Sequence, residues 1–445
     1  MGLCGATGQR ARTRLWVYFG ALSADTAADE MFYLALAWAA AHSGDALSAA
    51  AVLAAGSVPR VLVMLVGGVV GDRYGLARVA TLTLVVRAAL MTVFAVLLIP
   101  HTPPTVAVLV LLAVGVGLAD ALHMPAMGGM AGLLAGEGEQ ATVQGWVSSV
   151  TRATGVAATA AGALLLGWHE VSVGWAATAL LLVALIAVIG LRRREGARLR
   201  VADEEEAGST VLTMLTAGLK VVRSDRVVMV ALLVFTLANF AATAPIILGL
   251  PLKGVALGWS GTEYGLAYLG FAVGSALGAA SMARVAKRIR LKMHAALVLL
   301  IPGGLGLAGL AVADRAWTTG AACLVTGLFF APAAALLMGE VRERTPASMM
   351  GRISSVVQFS IFGLIPVGHV LFGWLVGVMG LRPAGLVMSA VLGATIVVGW
   401  AYVRGTGRHG RHGDGQTGGR PRWRKLRLSS SRSSARSILT RVAGT

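Results

Sequence analysis

Polar positions along most of the chain come in short bursts, and the intervals between them are runs of Leu, Val, Ala and Gly. About 20 apolar residues in a helix cross the roughly 30 Å of bilayer hydrocarbon. Windows of that length fall near residues 15–40, 46–70, 77–100, 104–126, 143–167, 172–191, 227–250, 261–284, 293–313, 316–339, 353–378 and 384–403, so the pattern predicts twelve transmembrane helices and an all-α membrane protein. The longest polar interval before the C-terminus, RRREGARLRVADEEEAGSTVLTMLTAGLKVVRSDR, divides the windows six and six. Within it, apolar residues at helical spacing alternate with Lys220, Arg223 and Arg226, the pattern of a helix lying on a membrane surface. The expected organisation is an N-terminal segment 1–14, a six-helix half 15–191, a linker 192–226, a second half 227–403 and a polar tail 404–445.

The halves are related in sequence. GWVSSV at 145–150 recurs as GRISSV at 351–356, and GALLLGW at 162–168 recurs as GHVLFGW at 368–374, each pair 206 residues apart. This register equates the fifth helix with the eleventh, as expected when two duplicated halves enclose a site at the bilayer midplane.

Composition agrees with the pattern. With 56% hydrophobic and 13% charged residues and a mean hydropathy of +0.77, the chain is too apolar for a soluble protein of 445 residues. Its net charge of +18 is concentrated outside the helices, and the tail alone carries eleven Arg and Lys against Asp414. A Gly-, Ser- and Arg-rich tail of this kind reads as disordered and suited to anionic lipid, and no nucleic-acid partner is needed to account for it. Arg10, Arg12, Arg14, Arg73, Arg78, Arg192, Arg193, Arg194, Arg284, Arg342 and Arg344 all fall on one set of alternate loops, which the positive-inside rule assigns to the cytoplasm together with both termini. Cys4 and Cys323 lack any CxxC neighbour, and no phosphate loop, HExxH or GxSxG occurs, so the sequence predicts no metal, no cofactor and no enzyme. GLGLAG at 304–309 lies in an apolar helix without a preceding strand and reads as close helix packing.

GGVVGDRYGLAR at 67–78, between the second and third helices, resembles the loop signature of the major facilitator superfamily, matching it at Gly68, Asp72, Arg73, Gly75 and Arg78 and departing from it at Leu76 and Ala77. In that loop Gly75 permits a tight turn, and Asp72 and Arg73 can pair with a neighbouring helix in one of two conformations, which makes the segment a candidate conformational switch. Asp120, placed near one end of the fourth helix, is the expected partner of Arg73 or Arg78. PRVLVMLVGGVVGDRYG, MPAMGGMAGLLAGEGEQATVQGWVSS and TPASMMGRISSVVQFSIFGLIPVGHVLFGWL resemble the macrolide-efflux and enterobactin-exporter branch. The resemblance implies a twelve-helix exporter of an amphipathic drug, macrolide-like or siderophore-like molecule in the bacterial inner membrane, driven by proton antiport. A lysophospholipid flippase of the same fold and a non-transporting receptor are the alternatives. Many antiporters carry Gly-Pro in the fifth helix, where this chain has Gly155 and Val156.

LSADTAADEMFYLAL at 22–36 breaks the first window from inside with Asp25, Asp29 and Glu30. A carboxylate at the bilayer centre costs about 2.5–3.5 kcal/mol, so these groups must face protein or water. Asp25 and Asp29 are four apart and share a face, and two like charges in a poorly hydrated site favour a shared proton. Either they carry a coupling proton, with Asp29 the first choice and Glu30 the second, or they are salt-bridge partners of the buried cations Arg60, Arg87 and Arg152. Asn239 and Gln358, polar groups inside bundle helices, are either interhelical hydrogen-bonders or members of a substrate cavity expected near helices one, two, seven and eleven.

Overall fold

The computed structural model describes residues 2–99, 104–135, 139–195, 220, 222–223, 225–285, 288–289, 291–345, 356–357 and 359–409, with side chains throughout except at 2–12, 64–73, 141, 283 and 405–409. Twelve long helices lie among the described residues. They are α1 (Gly2–His42), α2 (Ala46–Tyr74), α3 (Leu76–Leu97), α4 (Val106–Leu134), α5 (Gln140–Trp168), α6 (Glu170–Glu195), α7 (Arg226–Leu257), α8 (Gly261–Val285), α9 (Lys292–Val312), α10 (Ala316–Arg344), α11 (Phe359–Met379) and α12 (Leu381–His409). Eleven are apolar and long enough to cross a membrane. The twelfth is α1, whose acids lower its hydropathy and whose Phe32, Leu34, Leu36 and Trp38 are buried against its neighbours instead.

Sequence punctuation sets the joints. Between α2 and α3 the turn is one residue, Gly75, at φ 85°, a conformation that costs little only for glycine. Asp72 and Arg73 therefore belong to the last turns of α2 and not to a loop, and their side chains lie outside the described residues. Pro245 has no N–H for the helical ladder, and α7 passes through a π-helical segment there, Pro245–Gly249, before continuing to Leu257. Lys253, three residues past the apolar window at 227–250, is inside α7, and its ammonium donates to the Leu310, Ala311 and Ala313 carbonyls at the C-terminus of α9. In α11 a turn at 363–364 precedes the main helical run, and Pro366 falls in that run's first turn, where a missing N–H is harmless. The linker's surface helix, apart from 220 and 222–223, and the tail from 410 onward lie outside the described residues.

Packing repeats with a period of six helices. The pairs α2·α4, α3·α4, α3·α6, α1·α6 and α1·α5 have counterparts in α8·α10, α9·α10, α9·α12, α7·α12 and α7·α11. Both α2·α4 and its counterpart α8·α10 are held by a close glycine–glycine contact, with the helices in exchanged roles: Gly117 of α4 sits on the Gly56 carbonyl of α2, and Gly270 of α8 sits on the Gly320 carbonyl of α10, so that a Cβ on either would lie about 2 Å from that oxygen.

The halves meet mainly through α5 on α8 and α2 on α11. These contacts concentrate at the end opposite the chain termini, here the distal end. A Cβ on Gly167 would fall 1.4 Å from Thr262 Oγ1, and one on Gly373 would fall 2.5 Å from the Ala50 Cβ. Gly167 and Gly373 are equivalent positions of the GALLLGW and GHVLFGW repeat, so that sequence similarity coincides with the places where the halves touch. Trp38 completes the seal: it stacks on Tyr264 with ring centroids 5.0 Å apart and donates its indole N–H to Glu170 Oε1 at 2.8 Å.

Candidate functional site

Inside the distal seal lies a cavity of about 530 Å³, walled by α1, α2, α4 and α5 from one half and α7, α8 and α11 from the other. Its lining on α1 runs from Tyr18 to Ala37, about 28 Å of helix at 1.5 Å per residue. That size suits an organic small molecule.

The polar centre of the N-terminal half is built around Arg87, in the middle of α3 and fully buried. One terminal nitrogen reaches Asp25 Oδ1 at 2.6 Å, the other bonds Asp29 Oδ1, and Nε lies 2.9 Å from Asp120 Oδ1 as an ion pair without hydrogen-bond alignment. The guanidinium stands between the two aspartates of α1, where the sequence led us to expect a shared proton. Arg60 of α2 bonds Asp120 Oδ2 and the Tyr33 hydroxyl and lies over the Tyr33 ring, 5.1 Å from its centroid. Tyr33 in turn donates to Asp120 Oδ2 at 2.7 Å. His123 of α4 places Nε2 3.0 Å from Asp25 Oδ2 and Nδ1 2.9 Å from the Thr83 hydroxyl. Buried charges persist when paired and hydrogen-bonded, and every charged member of this network has at least one such partner.

Glu30 does not belong to it. Among the described residues it has no hydrogen bond or ion pair, and it faces the cavity half-buried. A Cβ on Gly155 would lie 3.5 Å from Glu30 Oε1, so glycine at this point of α5 leaves the carboxylate room. The cavity and the wall behind it thus hold four carboxylates, Asp25, Asp29, Glu30 and Asp120, against two guanidiniums, Arg60 and Arg87.

Several expectations are revised by this geometry. Asp120 is not near the end of its helix beside Arg73 or Arg78; it is central in α4, buried, and engaged by Arg60 and Arg87, because a carboxylate at that depth needs cations at the same depth. Arg60 pairs with α4 and only through Tyr33 with α1. Arg152 is exposed on α5 and makes no ion pair among the described residues, so it is not a buried partner. Arg78 is exposed at the start of α3. Asn239 does not line the cavity, whose α7 contribution is Ile247. Gln358 lies outside the described residues, as do the side chains of Asp72 and Arg73, while Gly68 falls within α2.

Sequence reading passed over Tyr33, Thr83, His123 and His369. His123 was detectable in principle, three residues after Asp120 on one face of an otherwise apolar helix. His369 offered no such signal. It lies in an apolar stretch of α11, is 3% exposed, lines the cavity, and neither ring nitrogen has a partner among the described residues.

Two symmetry-related six-helix halves around a charged midplane cavity, sealed at one end, define a secondary transporter. The chain belongs to the major facilitator superfamily, whose Major Facilitator Superfamily profile matches residues 18–368. It is similar to the crystal structure of a mutant of the nucleoside transporter NupG with a TM-score of 0.72 and 13% identity, over 87% of this chain and 99% of that one. It is also similar to a bacterial homologue of the human lysosomal transporter Spinster, solved inward-facing and unoccupied, with a TM-score of 0.67 and 12% identity over 88% and 97% of the two chains. At these identities the likeness is one of fold. No curated protein matches the chain.

Proposed function

We propose that this transporter exports amphipathic small molecules by alternating access, coupled to protons entering in exchange. The observation that carries the reading is Glu30, a carboxylate in the cavity without a cation, beside a network whose two guanidiniums are each ion-paired with other carboxylates. An unpaired carboxylate in a poorly hydrated cavity can bind a proton in one state and a cation in another, and competition between the two is sufficient for exchange. Tyr33, Tyr264, Tyr268 and Phe362 give the same cavity an aromatic wall, which favours molecules with an apolar body and a polar end. The resemblance of the α2, α4–α5 and α11 segments to drug and siderophore exporters points the same way.

Arginine-rich loops support a bacterial inner-membrane location with both termini in the cytoplasm, which makes the distal end the outer one. The basic tail then meets the anionic inner leaflet. Gly68, Asp72, Arg73, Gly75 and Arg78, at the cytoplasmic turn between α2 and α3, act as the conformational switch.

The test is transport in proteoliposomes under an imposed pH gradient, with substrate movement and internal pH read together. Substrate accumulation against its gradient with matched proton movement is expected. Substrate movement indifferent to the pH gradient would remove the proton, and transport of lysophospholipid but no soluble amphiphile would move the protein to the flippase class.

A further inference from the structure

The C-terminal half contributes to the cavity mostly apolar and aromatic groups, with one anomaly. His369 is almost wholly buried in α11, four residues before Gly373 and so about one turn inside the distal seal. Both of its ring nitrogens lack partners among the described residues. Buried polar groups are nearly always hydrogen-bonded, and an imidazole carries one donor and one acceptor when neutral. Phenylalanine would fill the same apolar wall at no such cost. The histidine therefore calls for a partner that arrives in another state of the transport cycle, and the cavity it lines is where such a partner would come from.

We propose that His369 is the substrate-binding residue of the C-terminal half, hydrogen-bonding a hydroxyl, amide or ether of the transported molecule while a cationic group of that molecule pairs with Glu30 of the N-terminal half. The inference rests on the export reading and specifies it: the substrates are aromatic organic monocations bearing a second, neutral polar group. Charge excludes the opposite arrangement, since four carboxylates face two guanidiniums on the N-terminal side and both guanidiniums are occupied. A ligand held by one residue from each half also couples its occupancy to their relative position, which alternating access requires.

Two probes separate the parts of the proposal. Propranolol is an aromatic amine with a hydroxyl, and tetraphenylphosphonium is an aromatic cation with no hydrogen-bonding group. In proteoliposomes under a pH gradient, His369→Phe is expected to lower the ratio of propranolol to tetraphenylphosphonium transport efficiency by about tenfold, the worth of one desolvated hydrogen bond. His369→Gln, which keeps a donor and an acceptor, should restore most of that ratio. His369→Leu gives the same reading should the Phe variant not insert. A ratio unchanged in the Phe or Leu variant, or one that Gln fails to restore, overturns the assignment of His369 while leaving export intact. Transport of neither probe by the wild-type protein overturns the export reading itself and this assignment with it.

Discussion

Asp29 and Glu30 are adjacent in sequence and opposite in circumstance: Arg87 binds the Asp29 carboxylate, whereas the Glu30 carboxylate opens on the cavity beside Gly155 with no ion pair among the described residues. One residue of helix is a rotation of about 100°. Both carboxylates line the cavity, and that rotation separates one within reach of the Arg87 guanidinium from one with no cation beside it.

Glu30, not Asp29, is accordingly the expected proton carrier. Glu30→Gln should abolish pH-driven uphill transport in proteoliposomes while leaving downhill exchange of substrate measurable. Uphill transport by this variant at the wild-type rate, with its proton dependence unchanged, would return the role to the aspartates.

Arg87 makes ion pairs with Asp25, Asp29 and Asp120 at once. Arg87→Leu strands Asp29 and leaves Asp25 only His123 and Asp120 only Arg60 as ionic partners, and should destabilise the protein by about 3–5 kcal/mol, the cost of breaking a buried ion pair. Protonating these acids removes the unpaired charge, so the deficit should shrink as pH falls. Thermal unfolding in detergent across a pH series reads both effects, and a deficit that grows on acidification would contradict this account.

Gly167 and Gly373 bring the halves together at the distal end, where neither position has space for a side chain. Gly167→Val or Gly373→Val should keep that end from closing. With Cys4 and Cys323 replaced by serine, an Ala37→Cys reporter on the cavity wall should react several-fold faster with an impermeant maleimide applied from the distal side. Unchanged labelling in both variants would show that closure does not depend on these contacts.

Asp72 stands at the α2 end of the Gly75 turn, far along its helix from the cavity residues Val52 to Val61. Asp72→Asn should slow transport and leave equilibrium substrate affinity within about threefold, a shift below 1 kcal/mol. A large loss of binding would place the residue in the substrate site.

Much of the fold was legible because the bilayer allows few solutions: apolar length, loop charge and the 206-residue repeat are local or one-dimensional signals. Even the exceptional α1 was recognisable as an apolar window at 15–40 despite its three acids. The site was half legible. Asp25, Asp29, Glu30, Arg60 and Arg87 stand out as charges inside apolar windows, and the cost of exposing them to lipid identifies them without coordinates.

What the sequence could not assign was partnership. Asp120 seemed to belong to the α2–α3 turn because a helix end was expected near it, whereas three-dimensional depth gave it to Arg60 and Arg87. Arg152 has the spacing of a buried cation and the exposure of a surface one, since which face of α5 meets protein depends on helices packed from elsewhere. Hydropathy and charge fix which segments enter the membrane, because each residue's transfer free energy is its own. Which carboxylate keeps its cation and which faces an open cavity is decided only by packing, because a Coulomb interaction between buried groups depends on ångströms of separation that no pattern along one chain encodes.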